Sequence, residues 1–425
     1  MTTMCGRRGV AVIGLVLVTA CGAPPPADEA PSTEEAGMVS VDPTAIRPFE
    51  IAVSDEVLAD LQVRLSMTRF PDQLDGVGWD YGTDVAYLRE LVDYWQNGFD
   101  WREQERQLNT LDHYKTTIDG LDIHFIHQRS PNPDALPLLV THGWPGSVFE
   151  FTKIIGPLTD PEAHGGQASD AFHVVAPSLP GYGFSDKPRE RGYGPEKMAD
   201  INAKLMARLG YDRYGAQGGD WGGIISRWTA FNDAEHVAGL HLNFVTGVSP
   251  ADPDNPNEGV PDAELARQRE RQQFMSTERG YSSIQGTKPQ TLGYGLNDSP
   301  AGLAAWIVEK FRTWCDCDGD IESIFTKDEL LTNVMIYWTT GTITSSTRLY
   351  YESRNATPAR PIGYIDVPTG AALFPNEINY PPRLWAENRY NIVQWTEMPR
   401  GGHFAALEQP ELLVDDIRSF FQTVR

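Results

Sequence analysis

The strongest constraint on the fold is an alternation that begins near residue 116. Short apolar runs at residues 138–141, 172–176 and 239–244 are separated by stretches of helical periodicity at residues 197–209 and 222–232. Runs this apolar have no polar face to give to water, so they read as strands covered on both sides. Strands alternating with helices predict an α/β protein with a mostly parallel sheet and helices on both faces. The alternation stops at SPADPDNPNEG, a loop that opens a mainly helical segment. It resumes at residues 370–374 and 392–395, and an amphipathic helix from Glu411 carries Leu413, Ile417, Phe420 and Val424 on one face. An insertion between two halves of one sheet predicts a lid. Upstream, Ser54 can cap a helix bearing Val57, Leu58, Leu61 and Leu65, and Leu88, Leu91, Val92 and Trp95 repeat the spacing. The expected organisation is a helical region at 43–115, a first core half at 116–245, a lid at 246–355 and a second core half at 356–425.

The first twenty residues carry Arg7 and Arg8 and then an apolar run too short to span a bilayer comfortably. They read as a signal peptide. Val18-Thr19-Ala20-Cys21 resembles the lipobox of bacterial lipoproteins, which predicts cleavage before Cys21, lipid on its thiol and a membrane anchor in the cell envelope. An ordinary secretory signal is the alternative. Residues 21–42 are rich in Pro, Ala and acids and predict a tether. The net charge of −23 excludes a phosphate-binding surface and hence nucleic acid as a partner. Cys315 and Cys317, in CDC, fit a small disulfide, a thiol pair or half of a metal site. No second Cys/His cluster lies near in sequence, so no metal is expected.

Ahead of the helix at 222–232 lies GAQGGDWGGIISRW, residues 215–228. Glycines on both sides of Asp220 mark a sharp strand–turn–helix that thrusts one side chain out, the nucleophile elbow of the α/β-hydrolase fold. A hydrolase of this kind usually carries serine there. HGWPGS follows the early strand, where that fold places an oxyanion loop, so the backbone amides of Trp144 and Trp221 can hold a developing negative charge. Glu377 lies past one late strand and His403, in RGGHFA, past the last. The chain order Asp220, Glu377, His403 matches nucleophile, acid and base.

From about residue 45 to its end the chain resembles the microsomal-type epoxide hydrolases. The stretches that carry the resemblance are HGWPGS, PSLPGYGFSDKP, QGGDWGG, TKPQTLGYGLNDSPAGLAAWI, LLTNVMIYWTTGTITSSTRLYYES and RGGHFAALEQPELL. The resemblance implies an N-terminal helical region before an α/β-hydrolase core and two lid tyrosines that donate to the epoxide oxygen. By position these are Tyr281 and Tyr350, with Tyr351 competing for the second. It also implies a reason for the carboxylate at 220. Epoxide carbons are saturated, so a serine adduct would be an ether, whereas an aspartate adduct is an ester that water can cleave. His403, oriented by Glu377, would activate that water. A small apolar epoxide would become a vicinal diol with no metal, nucleotide or organic cofactor. Haloalkane dehalogenases share the aspartate and the fold and are the rival reading. A non-catalytic tethered binding protein is another, and its mark would be a missing triad member. The oligomeric state is left open.

Overall fold

Nine strands form one sheet in the order β1-β2-β3-β5-β4-β6-β7-β8-β9. They are β1 (Arg47–Pro48), β2 (His113–Ile118), β3 (Leu121–Gln128), β4 (Leu136–Thr141), β5 (Phe172–Pro177), β6 (Tyr214–Gly218), β7 (Val237–Leu242), β8 (Ile365–Leu373) and β9 (Tyr390–Glu397). This computed structural model describes residues 42, 44–355 and 361–425. The signal, the tether and Cys21 therefore lie outside the described residues. In that sheet order, pairing is parallel from β5 through β9 and antiparallel among β1, β2, β3 and β5. Every residue of β5, β6 and β7 is buried, as strands with helices over both faces must be.

The antiparallel margin corrects one sequence expectation. β1 and the start of β2 fall inside the stretch read as wholly helical. Their sequences, RP and HYKTTI, are too short or too mixed to announce a strand. A two-residue turn joins β2 to β3, with Asp119 and Gly120 both in the left-handed region at φ 50° and 81°. That geometry matches the right-handed twist of the flanking strands.

Among the described residues, three helices precede β2: α1 (Asp55–Ser66), α2 (Val85–Asn97) and α3 (Trp101–Leu108). The core helices are α4 (Thr152–Thr159), α5 (Pro195–Arg208) and α6 (Asp220–Asn232). The inserted segment holds α7 (Asp262–Glu278), α8 (Gly280–Gln285), α9 (Pro289–Asp298), α10 (Pro300–Trp314), α11 (Lys327–Thr340) and α12 (Ile343–Asn355). The last three are α13 (Arg383–Glu387), α14 (Ala405–Glu408) and α15 (Pro410–Gln422). Ile154, Leu158, Ile417 and Phe420, from α4 and α15, pack on one face of the sheet with Leu138 and Val174. Ile201, Leu205 and Ala230, from α5 and α6, pack on the other with Leu139, Val175 and Leu240.

The N-terminal helices bury their apolar stripes against the lid. Leu61, Leu65, Leu91 and Trp95 share one cluster with Leu303, Ile307, Leu331 and Met335. Each such side chain withdrawn from water contributes about 1.5–3 kcal/mol. Polar ties reinforce the junction: Arg64 to Asp298 at 2.7 Å, and the Tyr94 hydroxyl to Asp328 at 2.8 Å. Asp84 caps α2 by accepting from the Tyr87 amide, and Thr326 and Glu329 cap α11 reciprocally. The lid is thus held from above by the N-terminal region and from below by the core, and residues 42–425 form one compact unit.

Candidate active site

β6 ends at Gly218 and α6 begins at Asp220, so a single residue separates strand from helix. Asp220 adopts φ 48°, in the left-handed region that non-glycine residues seldom occupy. Such a backbone costs on the order of 1–3 kcal/mol and persists where its surroundings enforce it. Here the enforcement is close contact. A Cβ on Gly222 would lie 1.7 Å from the Thr141 carbonyl oxygen, so only glycine lets α6 start against the end of β4. A Cβ on Gly143 would lie 2.2 Å from Asp220 Oδ1, so only glycine lets the HGWPGS loop approach the carboxylate.

That loop delivers one amide. Trp144 N donates to Asp220 Oδ1 at 2.7 Å. The imidazole of His142 holds the loop from within: Nδ1–H donates to the Gly143 carbonyl at 3.0 Å and Nε2 accepts from the Leu179 amide at 3.2 Å. Burial pushes its pKa down to about 4, which keeps it neutral for this task. The lid holds the loop from outside. On α11, Asn333 Nδ2 donates to the Pro145 carbonyl at 2.8 Å and the Tyr337 hydroxyl to that of Gly146 at 2.6 Å. The Trp221 amide follows Asp220 at the start of α6, where the helix dipole favours negative charge.

Glu377 and His403, the carboxylate and imidazole expected beside Asp220, come from loops beyond β8 and β9. His403 Nδ1 donates to Glu377 Oε1 at 2.6 Å, and Nε2 points at Asp220 Oδ2 at 3.5 Å. Glu377 Oε1 also accepts from the Ile378 amide at 2.6 Å. Burial alone would lower the imidazole pKa. The Glu377 carboxylate, then Asp220, outweigh it and hold the ring well above its ordinary value. Neutralising Asp220 would remove one of the two influences that raise it.

Tyr281 on α8 and Tyr350 on α12 stand over this group. The Tyr281 ring stacks on Trp144, with centroids 5.3 Å apart, and the Tyr350 ring meets Trp144 and Trp221 edge-on at 5.9 and 4.8 Å. The two tyrosine rings lie 5.8 Å apart. Tyr350 is buried beside these rings, whereas its neighbour Tyr351 is half-exposed. The Tyr350 hydroxyl has no partner of good geometry among the described residues. Burial raises both phenol pKa values, which keeps the protons in place.

Two residues escaped sequence reasoning. Trp314, at the end of α10, packs against both His403 (5.0 Å) and Tyr281 (5.1 Å) and so joins the imidazole to the inserted helices. Glu150, in the apolar run SVFEF, turns its side chain over Gly146, where a Cβ would sit 1.3 Å from Oε1. It lines a cavity of about 20 Å³ on the core side of the nucleophile, together with Asp220, His403, Gln217 and Asn243. That is room for one water. Loss of bulk water pushes the Glu150 carboxyl up to about 8 against the pull of His403. An acid inside an apolar run was the available signal. Cys315 and Cys317, three readings in the sequence, form a disulfide. Among the described residues no group of three or more His, Cys, Asp or Glu is arranged to hold a metal ion.

The site thus joins an α/β-hydrolase sheet, an aspartate at its elbow, an imidazole–carboxylate pair beside it and two phenols above. The chain matches the family "Epoxide hydrolase N terminus" over residues 46–151 and "alpha/beta hydrolase fold" over residues 137–292. It is 44% identical to epoxide hydrolase 1 of Sus scrofa over 402 residues, which is 88% of each chain. Its fold is similar to the crystal structure of juvenile hormone epoxide hydrolase from the silkworm Bombyx mori: TM-score 0.82, 36% identity, covering 90% of this chain and 95% of that one. The structure of Aspergillus niger epoxide hydrolase gives TM-score 0.80 at 32% identity, covering 90% and 97%. The chain belongs to the microsomal-type epoxide hydrolases and is an enzyme of that class.

Proposed function

We propose that the enzyme converts a small apolar epoxide to a vicinal diol in two covalent steps. Asp220 attacks a ring carbon in line with the breaking bond, while Tyr281 and Tyr350 donate to the departing oxygen. A phenol can donate where water is shut out, and burial keeps both phenol protons in place until the departing oxygen gathers charge. The adduct is an ester, so Asp220 has lost its charge and His403 becomes basic. His403 then takes a proton from water, its Nδ1–H held by Glu377. The resulting hydroxide attacks the Asp220 carbonyl carbon, and the amides of Trp144 and Trp221 receive the oxyanion. No step calls for a cofactor.

The observation that carries this reading is Asp220 at φ 48°, with the Trp144 amide on one carboxylate oxygen and His403 on the other. Single turnover of styrene oxide in heavy-oxygen water tests it. Label is expected in Asp220 and not in the first diol; label in the diol alone would mean direct attack by water. We further propose that the chain is exported and anchored in the bacterial envelope by lipid on Cys21. Metabolic palmitate labelling that persists in Cys21→Ala would overturn that assignment.

A further inference from the structure

The disulfide closes across Asp316, and Asp316 is where the loops of the base and its acid meet. Asp316 Oδ2 accepts from the Gly401 amide at 2.7 Å, and Oδ1 accepts from the side-chain amide of Asn376, the residue before Glu377. Asp316 N donates to Glu408 Oε2 at 2.8 Å, and the same carboxylate gathers the amides of Gly402 at 2.9 Å and Phe404 at 2.8 Å. His403 N donates to the Trp314 carbonyl at 3.0 Å, which ties the backbone of the base itself to the end of α10. Gly402 sits so close that a Cβ there would lie 2.5 Å from the Trp314 carbonyl oxygen.

Residues 315–320 form no regular element, and Asp318 and Gly319 both take positive φ, at 47° and 83°. A segment of this kind holds several partners in register only if its own conformation is fixed. The ring through Cys315 and Cys317 fixes it. We propose that this disulfide and Asp316 form a positioning clamp for His403 and Glu377, and that reducing the disulfide slows ester hydrolysis while sparing ring opening. The kinetic part rests on the covalent route proposed above. Cys315 lines an open groove of about 770 Å³ beside Trp79, Lys310 and Asn376, through which a small dithiol can reach it. One reductant thiolate attacks a sulfur and releases the other as a thiolate. The second reductant thiol then displaces the mixed disulfide, leaving two protein thiols and a cyclic oxidised reductant. Both sulfurs lie 3.4 Å from the Arg312 carbonyl oxygen, which can accept from a thiol so formed.

The test compares the whole protein before and after dithiothreitol, with single turnover of styrene oxide followed by intact mass and amide exchange followed by peptide mass. Ester formation is expected to change by less than roughly twofold and ester decay to slow by about tenfold or more, because the base is misplaced and not lost. The pH midpoint of decay should fall as Glu377 loosens from His403. Exchange at the amides of Gly401, Gly402 and His403 should rise by about tenfold. Reoxidation should restore every value, and the double variant Cys315→Ser with Cys317→Ser should decay slowly and ignore the reductant. Equal decay and equal exchange in the two redox states would overturn the clamp, as would a parallel fall of both steps with global melting. If oxidised enzyme forms no ester, the covalent route fails, and exchange at residues 401–403 decides the clamp by itself.

Discussion

The two halves of the site are built by different physics. The core half is a chain of short, directional contacts: Trp144 N to Asp220 at 2.7 Å, Asp220 to His403 at 3.5 Å and His403 to Glu377 at 2.6 Å. Each member stands on a loop beyond a parallel strand, and each loop is pinned by further hydrogen bonds. The lid half has almost none of this. Tyr281 and Tyr350 are placed by ring packing against Trp144, Trp221 and Trp314, and the Tyr350 hydroxyl is left unpaired among the described residues. Hydrogen bonds fix an orientation for proton transfer. Packing fixes a position without committing the Tyr350 hydroxyl to a well-formed hydrogen bond among the described residues.

If that division holds, the largest losses lie in the core half. Asp220→Asn should lower diol formation by a factor on the order of 10³ or more, since no other group can form the ester. His403→Gln should divide the steps. Ring opening continues, hydrolysis slows by roughly 10²–10⁴, and intact mass should show protein carrying one equivalent of epoxide. A His403→Gln enzyme that turns over without accumulating adduct would place the base elsewhere.

Smaller effects belong to the lid. Either Tyr281→Phe or Tyr350→Phe should slow ring opening by roughly 10–10² and leave ester decay alone, because the second phenol still donates. Tyr350→Phe should also raise thermal stability, as it deletes a buried hydroxyl whose unmet hydrogen bond costs about 1–3 kcal/mol. A slower and more stable variant would mark the hydroxyl as functional. A slower and less stable one would point to packing instead.

The same division governs what the sequence discloses. The grouping of Asp220, Glu377 and His403 was legible because chain order and strand ends suggest it: QGGDWGG marks the elbow, and Glu377 and His403 follow late strands. Periodicity also placed the lid, because 246–355 breaks the alternation. The tyrosines were legible only through resemblance to a family, since nothing local separates Tyr281 or Tyr350 from the other tyrosines of the chain. Trp314, Asp316 and Glu408 were invisible for a related reason. They act through contacts between residues far apart in the chain, such as Asp316 with Asn376 and with Glu408, and no local pattern encodes such a contact. β1 and the start of β2 were missed because the first is a two-residue edge strand and the second, HYKTTI, is too mixed to announce itself.

Glu150 gives the finest test, because it belongs to the core half yet its carboxyl makes no hydrogen bond, among the described residues, of the kind that organises its neighbours. Its pKa is raised to about 8 by loss of solvent, so between its ordinary value and 8 the folded state holds a proton that the unfolded chain has released. Stability attached to this group is therefore full below the ordinary carboxylate range and declines as pH rises towards 8. Glu408, raised to about 7 by burial against three backbone donors, acts in the same direction and is present in both proteins compared. Glu150→Gln keeps the shape and removes the ionisation. Between pH 5 and pH 8 its melting temperature should fall less than that of the parent, by roughly 1–2 °C for each kcal/mol of ionisation cost removed. Parallel melting curves across that range would show Glu150 already ionised in the folded enzyme. The small cavity beside Asp220 would then hold a second carboxylate, and the core half would gather negative charge around His403 and the Trp144 amide.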